Sequence, residues 1–504
     1  RPSWRGCSPP PTGPVSLPGR AARAPADGMD LADYTAADAT ELARLMAAGE
    51  VHPDEVRDVA LRAVAAVEPR LNAVVGGPYE DSPAAAGPFA GVPFAVKDTL
   101  PEAGRRLGFG SRLLDGYVAR REATLAGRFR AAGLVSLVRT ATPEFAFNVD
   151  TAPAVHGPTL NPWDPALSPG GSSGGTAALV AAGALPMGHG NDGGGSIRIP
   201  AGWCGLVGLK PSRGRVPIGP AVGEAVSGFA HEFALTRTVR DAAALLDAVS
   251  GPDPGDRYYI APPPRPFTSS LGSAPPPLRV AACTSSPFGA PVEPHVRAAV
   301  EGVLGVLERM GHHVEEACPP VEEPRLRDCL ETIWSLDLAA LASVFGRIRG
   351  AEADAESVEA ASWACIRRGR ELTALELDGA AATVNSISRR WGAFLDAHDV
   401  FVCPTTPSGA PPSGTPDQDD EGCVAASDWI EAVFAPSPFT PLTNISGQPS
   451  ISLPLGEGPD GMPIGVMLTA QTLREDLLIA LSYELERALP WAGRRPAVHA
   501  AGSG

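Results

Sequence analysis

Apolar residues recur at helical spacing in five segments of the chain. In residues 54–67, valine and alanine occupy one helical face, with Pro53 at the first turn. The same kind of spacing predicts the other four helices, over 123–132, 238–249, 296–310 and 475–489.

Short apolar runs alternate with these helices. The run Gly91-Val-Pro-Phe-Ala-Val-Lys97 is bounded by glycine and proline, which predicts a buried strand that ends in a lysine. Gly133 ends the helix before it, and residues 134–138 and 278–283 read as two further strands. Alternation of helix and strand is typical of an α/β sheet. We find no internal repeat.

Length and composition indicate one large globular domain. With 504 residues and 44% hydrophobic content, the chain can bury a sizeable core. Residues 1–28, rich in Pro, Gly and Arg, are predicted to be a disordered extension; the folded domain is expected over 29–495, and a flexible tail over 496–504. No run of 18 uncharged apolar residues indicates a membrane-spanning helix.

The charge balance and the cysteines exclude several kinds of protein. The chain has 41 basic and 57 acidic residues, and its net charge of −16 repels phosphate backbones and anionic lipids. We therefore expect no nucleic-acid partner and no membrane partner. The eight cysteines form no C-x-x-C pair, so we expect no metal site. We expect the thiols to be reduced and the protein to be cytoplasmic.

Glycine and serine are concentrated in two segments, 168–175 and 190–200. Glycine-rich backbone can approach a ligand closely and turn its N–H groups toward negative charge. Glycines also build ordinary turns, which is the commoner use of a single cluster. Two clusters with Ser172 and Ser196 24 residues apart, and a buried lysine upstream, favour a chemical role.

Three other glycine- or serine-based sites fit poorly. A phosphate-binding P-loop needs a lysine after its glycines, but Gly174-Gly175-Thr176 has none. A G-x-S-x-G nucleophile elbow must follow a buried strand, whereas residues 161–169 contain three prolines. An S-x-x-K motif is absent because Phe94 and Val207 stand three residues before the lysines.

Lysine usage points to one residue. The chain contains only two lysines, Lys97 and Lys210, and arginine supplies the other fixed positive charges. Arginine is effectively always charged, whereas a desolvated lysine can lose its proton and act as a base. Lys97 is therefore the candidate base, and Lys210 is interpreted as structural.

These segments resemble the amidase signature family. The Gly-Val-Pro-x-x-Val-Lys strand, the Gly-Gly-Ser-Ser-Gly-Gly loop and the Asp-x-Gly-Gly-Ser-Ile-Arg-x-Pro stretch occur in the order found in that family. The likeness covers residues 85–250 and 395–490. It implies an α/β fold with a single large domain, in which helices flank both faces of a mixed β-sheet.

The resemblance also implies an activity and a set of residues. It implies an amidase that hydrolyses a carbon–nitrogen amide bond of a small molecule through an acyl-enzyme, without a cofactor or a metal. Ser196 would be the nucleophile, Ser172 the bridging serine after a cis peptide bond, Lys97 the base and Ser173 only a loop residue. The implied oxyanion hole consists of the backbone N–H groups of Gly193, Gly194, Gly195 and Ser196.

The chain departs from the commonest family pattern in places. Asn191-Asp-Gly stands where Thr-Asp-Thr is frequent, and Arg139-Thr-Ala replaces a common Lys-Thr-Asn. The first variant resembles the branch that includes 6-aminohexanoate cyclic dimer hydrolases. Residues 255–390 match little, and we expect them to help shape the substrate pocket.

Three competing functions remain open from the sequence. A Ser-His-Asp hydrolase could use His189, seven residues before Ser196, but no nucleophile elbow accompanies it. An amidotransferase subunit that works in a complex on charged transfer RNA shares the signature, although the acidic charge argues against it. A non-catalytic binding protein on the same fold would not need the lysine and both serines. A homodimer is compatible with the sequence.

Overall fold

The computed structural model describes residues 29–80, 85–321 and 323–502. The extension predicted over residues 1–28 lies outside the described residues, as does the end of the predicted tail.

Within the described residues, the chain forms 14 α-helices and 11 β-strands. The helices are α1 (Leu31–Ala36), α2 (Ala39–Ala47), α3 (Pro53–Leu71), α4 (Thr124–Ala131), α5 (Gly174–Ala181), α6 (Arg198–Cys204), α7 (Val239–Val249), α8 (Pro294–Arg309), α9 (Glu323–Arg349), α10 (Ala360–Glu371), α11 (Ala374–Ala397), α12 (Ala426–Phe434), α13 (Pro441–Ser446) and α14 (Glu475–Ala488). The strands are β1 (Val74–Gly76), β2 (Pro93–Lys97), β3 (Val135–Thr140), β4 (Met187–Asp192), β5 (Val207–Lys210), β6 (His231–Thr236), β7 (Arg279–Ala282), β8 (His313–Glu316), β9 (Val400–Pro404), β10 (Ser450–Glu457) and β11 (Pro463–Ala470).

The strands join one mixed sheet in the order β1-β3-β2-β4-β6-β5-β10-β11-β9-β7-β8. Strand β2 runs parallel to β3 and β4, and β7 runs parallel to β8 and β9.

The side chains of a strand alternate between the two faces of the sheet. Val400 and Val402 accordingly pack in one apolar cluster, and Phe401 and Cys403 in the other. Helices cover both faces, which confirms the predicted single α/β domain.

The elements predicted from apolar spacing lie where they were expected. Helices α3, α4, α7, α8 and α14 and strands β2, β3 and β7 coincide with the predicted segments to within a few residues. One difference is that α3 continues through Pro69 to Leu71 instead of ending near Val67. Leu71 is fully buried, and Asn72 ends the helix in the left-handed conformation, so burial of the last turn offsets the hydrogen bond that proline cannot make.

The middle of the chain forms helices α9, α10 and α11, and both α10 and α11 pack on α9. In the described part of the chain, Pro324–Arg349 of α9 is the one helix long and apolar enough to cross a membrane by length and composition. Most of that stretch is buried inside the protein, as in a core helix. The sequence predicted no element here.

A disulfide joins Cys283 and Cys318. Cys283 directly follows β7, and Cys318 follows β8; because these strands are parallel neighbours, their carboxyl ends lie side by side. The expectation of reduced thiols is therefore wrong for this pair. The cytoplasmic location stays a prediction, and one of its grounds no longer holds.

The C-terminal segment packs on the domain. Val498 donates its backbone N–H to the Pro162 carbonyl at 2.9 Å, and Ala500 donates to the Ala182 carbonyl at 2.8 Å. Both side chains are buried. The described part of the predicted flexible tail, residues 496–502, thus contributes to the core.

Candidate active site

Lys97 is the last residue of β2 and is completely buried. Strands β2 and β4 are parallel, so the carboxyl end of β4, at Asn191 and Asp192, lies at the same edge of the sheet. Loops at the carboxyl ends of strands are the usual place for ligands in open α/β sheets.

The Lys97 amine contacts three oxygens, none of them a carboxylate. Its Nζ lies 2.6 Å from Ser172 Oγ, 2.6 Å from Asn191 Oδ1 and 3.1 Å from Ser173 Oγ. Burial lowers the pKa of Lys97 to about 7, although the negative charges of Glu232 and Asp192 oppose this shift. A large neutral fraction of the amine is therefore available near neutral pH.

The loop that carries Ser172 runs against backbone on both sides. A β-carbon on Gly171 would lie 2.4 Å from the Asn148 carbonyl oxygen, and one on Gly170 would lie 2.7 Å from Pro200 Cα. Only glycine permits such close approach. The Gly171–Ser172 peptide bond is cis, as the family resemblance implies.

Ser196 belongs to the same cluster of groups. A β-carbon on Gly190 of β4 would lie 3.0 Å from Ser173 Oγ and 3.2 Å from Ile197 Cγ1. Ile197 directly follows Ser196, so the serine loop and the turn with Ser196 meet beside β4. The structure thus brings all three predicted residues to one sheet edge, with Lys97 and Ser172 in direct contact.

The turn before Ser196 is held by a buried ion pair. Arg198 donates from Nε to Asp192 Oδ2 and from Nη2 to Asp192 Oδ1, each at 2.8 Å, and both side chains are fully buried. Burial alone would raise the pKa of Asp192, but the charge and hydrogen bonds of Arg198, together with Asn444, hold it well below its usual value. The carboxylate therefore stays ionised inside the protein.

The Gly195 N–H is already hydrogen-bonded within the protein. It donates to Asp192 Oδ1 at 2.8 Å, which corrects the expectation that it belongs to the oxyanion hole. Gly195 has φ +138°, and a β-carbon there would lie 2.4 Å from Thr440 Oγ1. The N–H groups of Gly193, Gly194 and Ser196 remain the candidates.

Residues of α13 and its N-cap complete the support of the turn. Asn444 donates to both the carbonyl oxygen and Oδ1 of Asp192 at 2.8 Å, and Thr440 Oγ1 donates to the Gly194 carbonyl at 2.6 Å. Asp192, Arg198 and Asn444 had no predicted role. An aspartate and an arginine six positions apart around a glycine run were the sequence feature that could have indicated the ion pair.

The two remaining single-residue expectations have different outcomes. Ser173, interpreted as a loop residue, contacts the Lys97 amine, so that interpretation was incomplete. Lys210, interpreted as structural, is buried and donates to the backbone carbonyls of Gln448 at 2.7 Å and Pro211 at 3.1 Å.

The described residues give little support to a histidine or metal site. His189 Nε2 lies 2.6 Å from Glu232 Oε2, and His189 Nδ1 has no hydrogen-bond partner among the described residues, so no serine hydroxyl contacts this ring. No group of three or more His, Cys, Asp or Glu side chains within the described ranges could hold a metal ion.

Ser196 faces an apolar recess of about 250 Å³. Phe147 and Trp334 stack in it with ring centroids 4.2 Å apart, and Phe434 lies beside Gly194. None of the described residues that line the recess is charged. A larger recess of about 460 Å³, around Arg213, is lined by neither Ser172, Ser196 nor Lys97.

Comparison with known proteins agrees with this geometry. The family model described as Amidase matches residues 76–479. The 6-aminohexanoate-cyclic-dimer hydrolase of Paenarthrobacter ureafaciens is 39% identical over 479 residues, 91% of this chain and 96% of that protein. The putative amidase AmiC of Mycobacterium tuberculosis is 36% identical over 465 residues, 90% of this chain and 95% of that protein.

Solved structures show the same fold. A structure of 6-aminohexanoate cyclic dimer hydrolase has a TM-score of 0.86 and 37% identity, covering 92% of this chain and 99% of that chain. A bacterial aryl acylamidase has a TM-score of 0.82 and 27% identity, covering 91% and 99%.

Loss of the Asp192 charge is expected to destabilise the protein. Asp192→Asn leaves Arg198 buried without its counter-ion, which should lower the free energy of unfolding by about 3–5 kcal/mol. The control is Asp476→Asn, which breaks the half-exposed pair with Arg474 and should cost at most about 1 kcal/mol. Denaturant unfolding above pH 5 measures both. Equal effects of the two substitutions would contradict the role of the buried pair.

Proposed function

Because the chain belongs to the amidase signature family, we propose that it cleaves its substrate with Ser196 as nucleophile, Ser172 as proton relay and Lys97 as base. The protein is an amidase that hydrolyses amide bonds.

One observation carries the proposal. A fully buried lysine lies 2.6 Å from a serine hydroxyl and contacts no carboxylate. Burial without a contacting counter-ion disfavours the charged form of a lysine, and Lys97, unlike the structural Lys210, also lies against a serine hydroxyl. Lys97 has neutral oxygens instead, which suits an amine that must lose its proton and take up another.

In the proposed first step, neutral Lys97 accepts the Ser172 hydroxyl proton while Ser172 accepts the proton of Ser196. The Ser196 oxygen attacks the amide carbonyl carbon and forms a carbon–oxygen bond. The carbonyl π electrons move to oxygen, where the N–H groups of Gly193, Gly194 and Ser196 would stabilise the charge.

The intermediate then collapses to an acyl-enzyme. The carbon–nitrogen bond breaks, and the proton on Lys97 returns through Ser172 to the leaving nitrogen. Water repeats the sequence on the ester: it gives its proton to the relay, attacks the acyl carbon and releases the acid, which restores the Ser196 hydroxyl. The proton taken from Ser196 leaves on the amine, and a proton from water restores the Ser196 hydroxyl, so Lys97 and Ser172 end the cycle in the protonation state in which they began.

The recess beside Ser196 supports a preference for amides with an uncharged, apolar acyl part. Its aromatic wall of Phe147, Trp334 and Phe434 offers contact area but no partner for a charge. Two similar proteins are named for a 6-aminohexanoate cyclic dimer and for an aryl acylamide, which fits small linear or cyclic amides of this class.

Lys97→Arg is expected to be nearly as inactive as Lys97→Ala. Arginine keeps the positive charge but cannot lose a proton at accessible pH. The wild-type enzyme should lose kcat/KM as the pH falls through about 7, since burial lowers the pKa of Lys97 to about 7 and only the neutral amine is a base. The measurement is kcat/KM from about pH 5 to about pH 10, with folding checked by circular dichroism. A folded Lys97→Arg enzyme with near wild-type turnover would refute the mechanism.

Covalent labelling distinguishes the nucleophile from other serines. Ser196→Ala should abolish labelling by a fluorophosphonate probe. Ser437 lines the same recess, where its hydroxyl donates to the Val433 carbonyl, so Ser437→Ala is the matched control and should still be labelled. Gel fluorescence and peptide mass spectrometry read out the site. Labelling that survives the loss of Ser196 would assign the nucleophile to another residue.

Trp334→Ala is expected to weaken catalysis selectively. Removing its ring from the recess should lower kcat/KM for amides with an aromatic acyl group by roughly tenfold to a hundredfold, and much less for acetamides. Trp363→Ala removes a half-buried tryptophan of α10 that does not line the recess, and it should change neither. Equal losses for both substrate types would argue against an acyl-binding role.

A further inference from the structure

Among the described residues, Lys97 has three hydrogen-bond partners, and Asn191 is the one that is not a serine. Asn191 Oδ1 is 2.6 Å from Lys97 Nζ, as close as Ser172 Oγ. An amide oxygen can only accept a hydrogen bond, so this contact must use an N–H of the lysine.

The orientation of the Asn191 amide is set by a second contact. Its Nδ2 donates to Thr99 Oγ1 at 3.1 Å, which turns Oδ1 toward the lysine. Thr99 lies just after β2, whereas Asn191 lies on β4, so the amide bridges the ends of two parallel strands.

Ser173 accepts the second N–H of the lysine. Its hydroxyl donates to the Asn191 backbone carbonyl at 3.3 Å, so its oxygen lone pairs are left to face Lys97 Nζ at 3.1 Å. Side chain and backbone of Asn191 thereby organise two of the three contacts around the amine.

A neutral amine has two N–H groups and one lone pair. We infer that Asn191 is a positioning residue, which together with Ser173 takes both N–H groups of Lys97 and leaves the lone pair directed at Ser172. The Ser172 hydroxyl can then only donate to the lysine, which is the direction of proton transfer that the relay requires. This inference rests on the proposed role of Lys97 as base.

Other ionisable groups also act on Lys97. Glu232 of β6 and Asp192 of β4 both raise its pKa, and His189 of β4 shares a short contact with Glu232. Substitutions at Asn191 retain these groups, so a difference in pH profile between variants reports on position 191 itself.

The test compares two near-isosteric substitutions with wild type. Asn191→Leu removes the acceptor. Asn191→Asp keeps an acceptor but adds a negative charge beside the lysine. We measure kcat and KM separately from about pH 5 to about pH 10 with one responsive amide, and check folding by circular dichroism. Asn385→Leu, at an exposed position of α11, is the matched control and should behave as wild type.

Asn191→Leu is expected to lower kcat by about tenfold or more with KM nearly unchanged, because the lone pair is no longer directed. Asn191→Asp should move the acid limb of the profile upward by about 1 pH unit or more, because a carboxylate favours the protonated lysine. An unmoved limb would mean that the side chain at position 191 does not contact the Lys97 amine.

Two results would overturn the inference: wild-type kcat in Asn191→Leu, or an unmoved acid limb in Asn191→Asp. If Asn191→Leu does not fold, the test relies on the acid limb of the pH profile of the polar Asn191→Asp variant. Failure of the underlying mechanism is separately visible, since an active Lys97→Arg enzyme would refute the lysine base whatever happens at Asn191.

Discussion

The site depends on the complete burial of one amine at the end of a strand. Water stabilises the ammonium form, so its exclusion around Lys97 favours the neutral form that a base requires. Burial of this kind demands that neighbouring backbone come close. The glycines of the loop before Ser172 meet that demand, because any side chain there would overlap the backbone of Asn148 or Pro200.

The same region must contain a buried carboxylate without returning the lysine to its charged form. Asp192 stabilises the turn before Ser196, and its charge tends to raise the pKa of Lys97. Arg198 and Asn444 bind both Asp192 oxygens and offset that charge. The turn therefore gains charge-assisted hydrogen bonds while the amine keeps only neutral partners.

The proposed reacting groups and the proposed acyl-binding recess come from different parts of the chain. Lys97 ends β2, and Ser172 and Ser196 lie on the loops before α5 and after β4, whereas Trp334 and Phe434 of the recess stand on α9 and α12. Helices α9 to α11 lie in the stretch that matches the family pattern least. Their surface can vary in shape without disturbing the strand ends.

The sequence by itself determined the alternation of helices and strands, the two glycine- and serine-rich segments and the rare lysine, because these are local properties. The family resemblance then singled out Ser172 and Ser196 within those segments. Only the tertiary structure decided that Asn191 meets Lys97, that Asn444 binds Asp192, that Gly195 is already hydrogen-bonded, and that Cys283 pairs with Cys318. Each of these depends on which strands are neighbours and how their ends align. The spacing of apolar residues predicts which face of a helix or strand is buried. It does not predict which distant residue packs against that face.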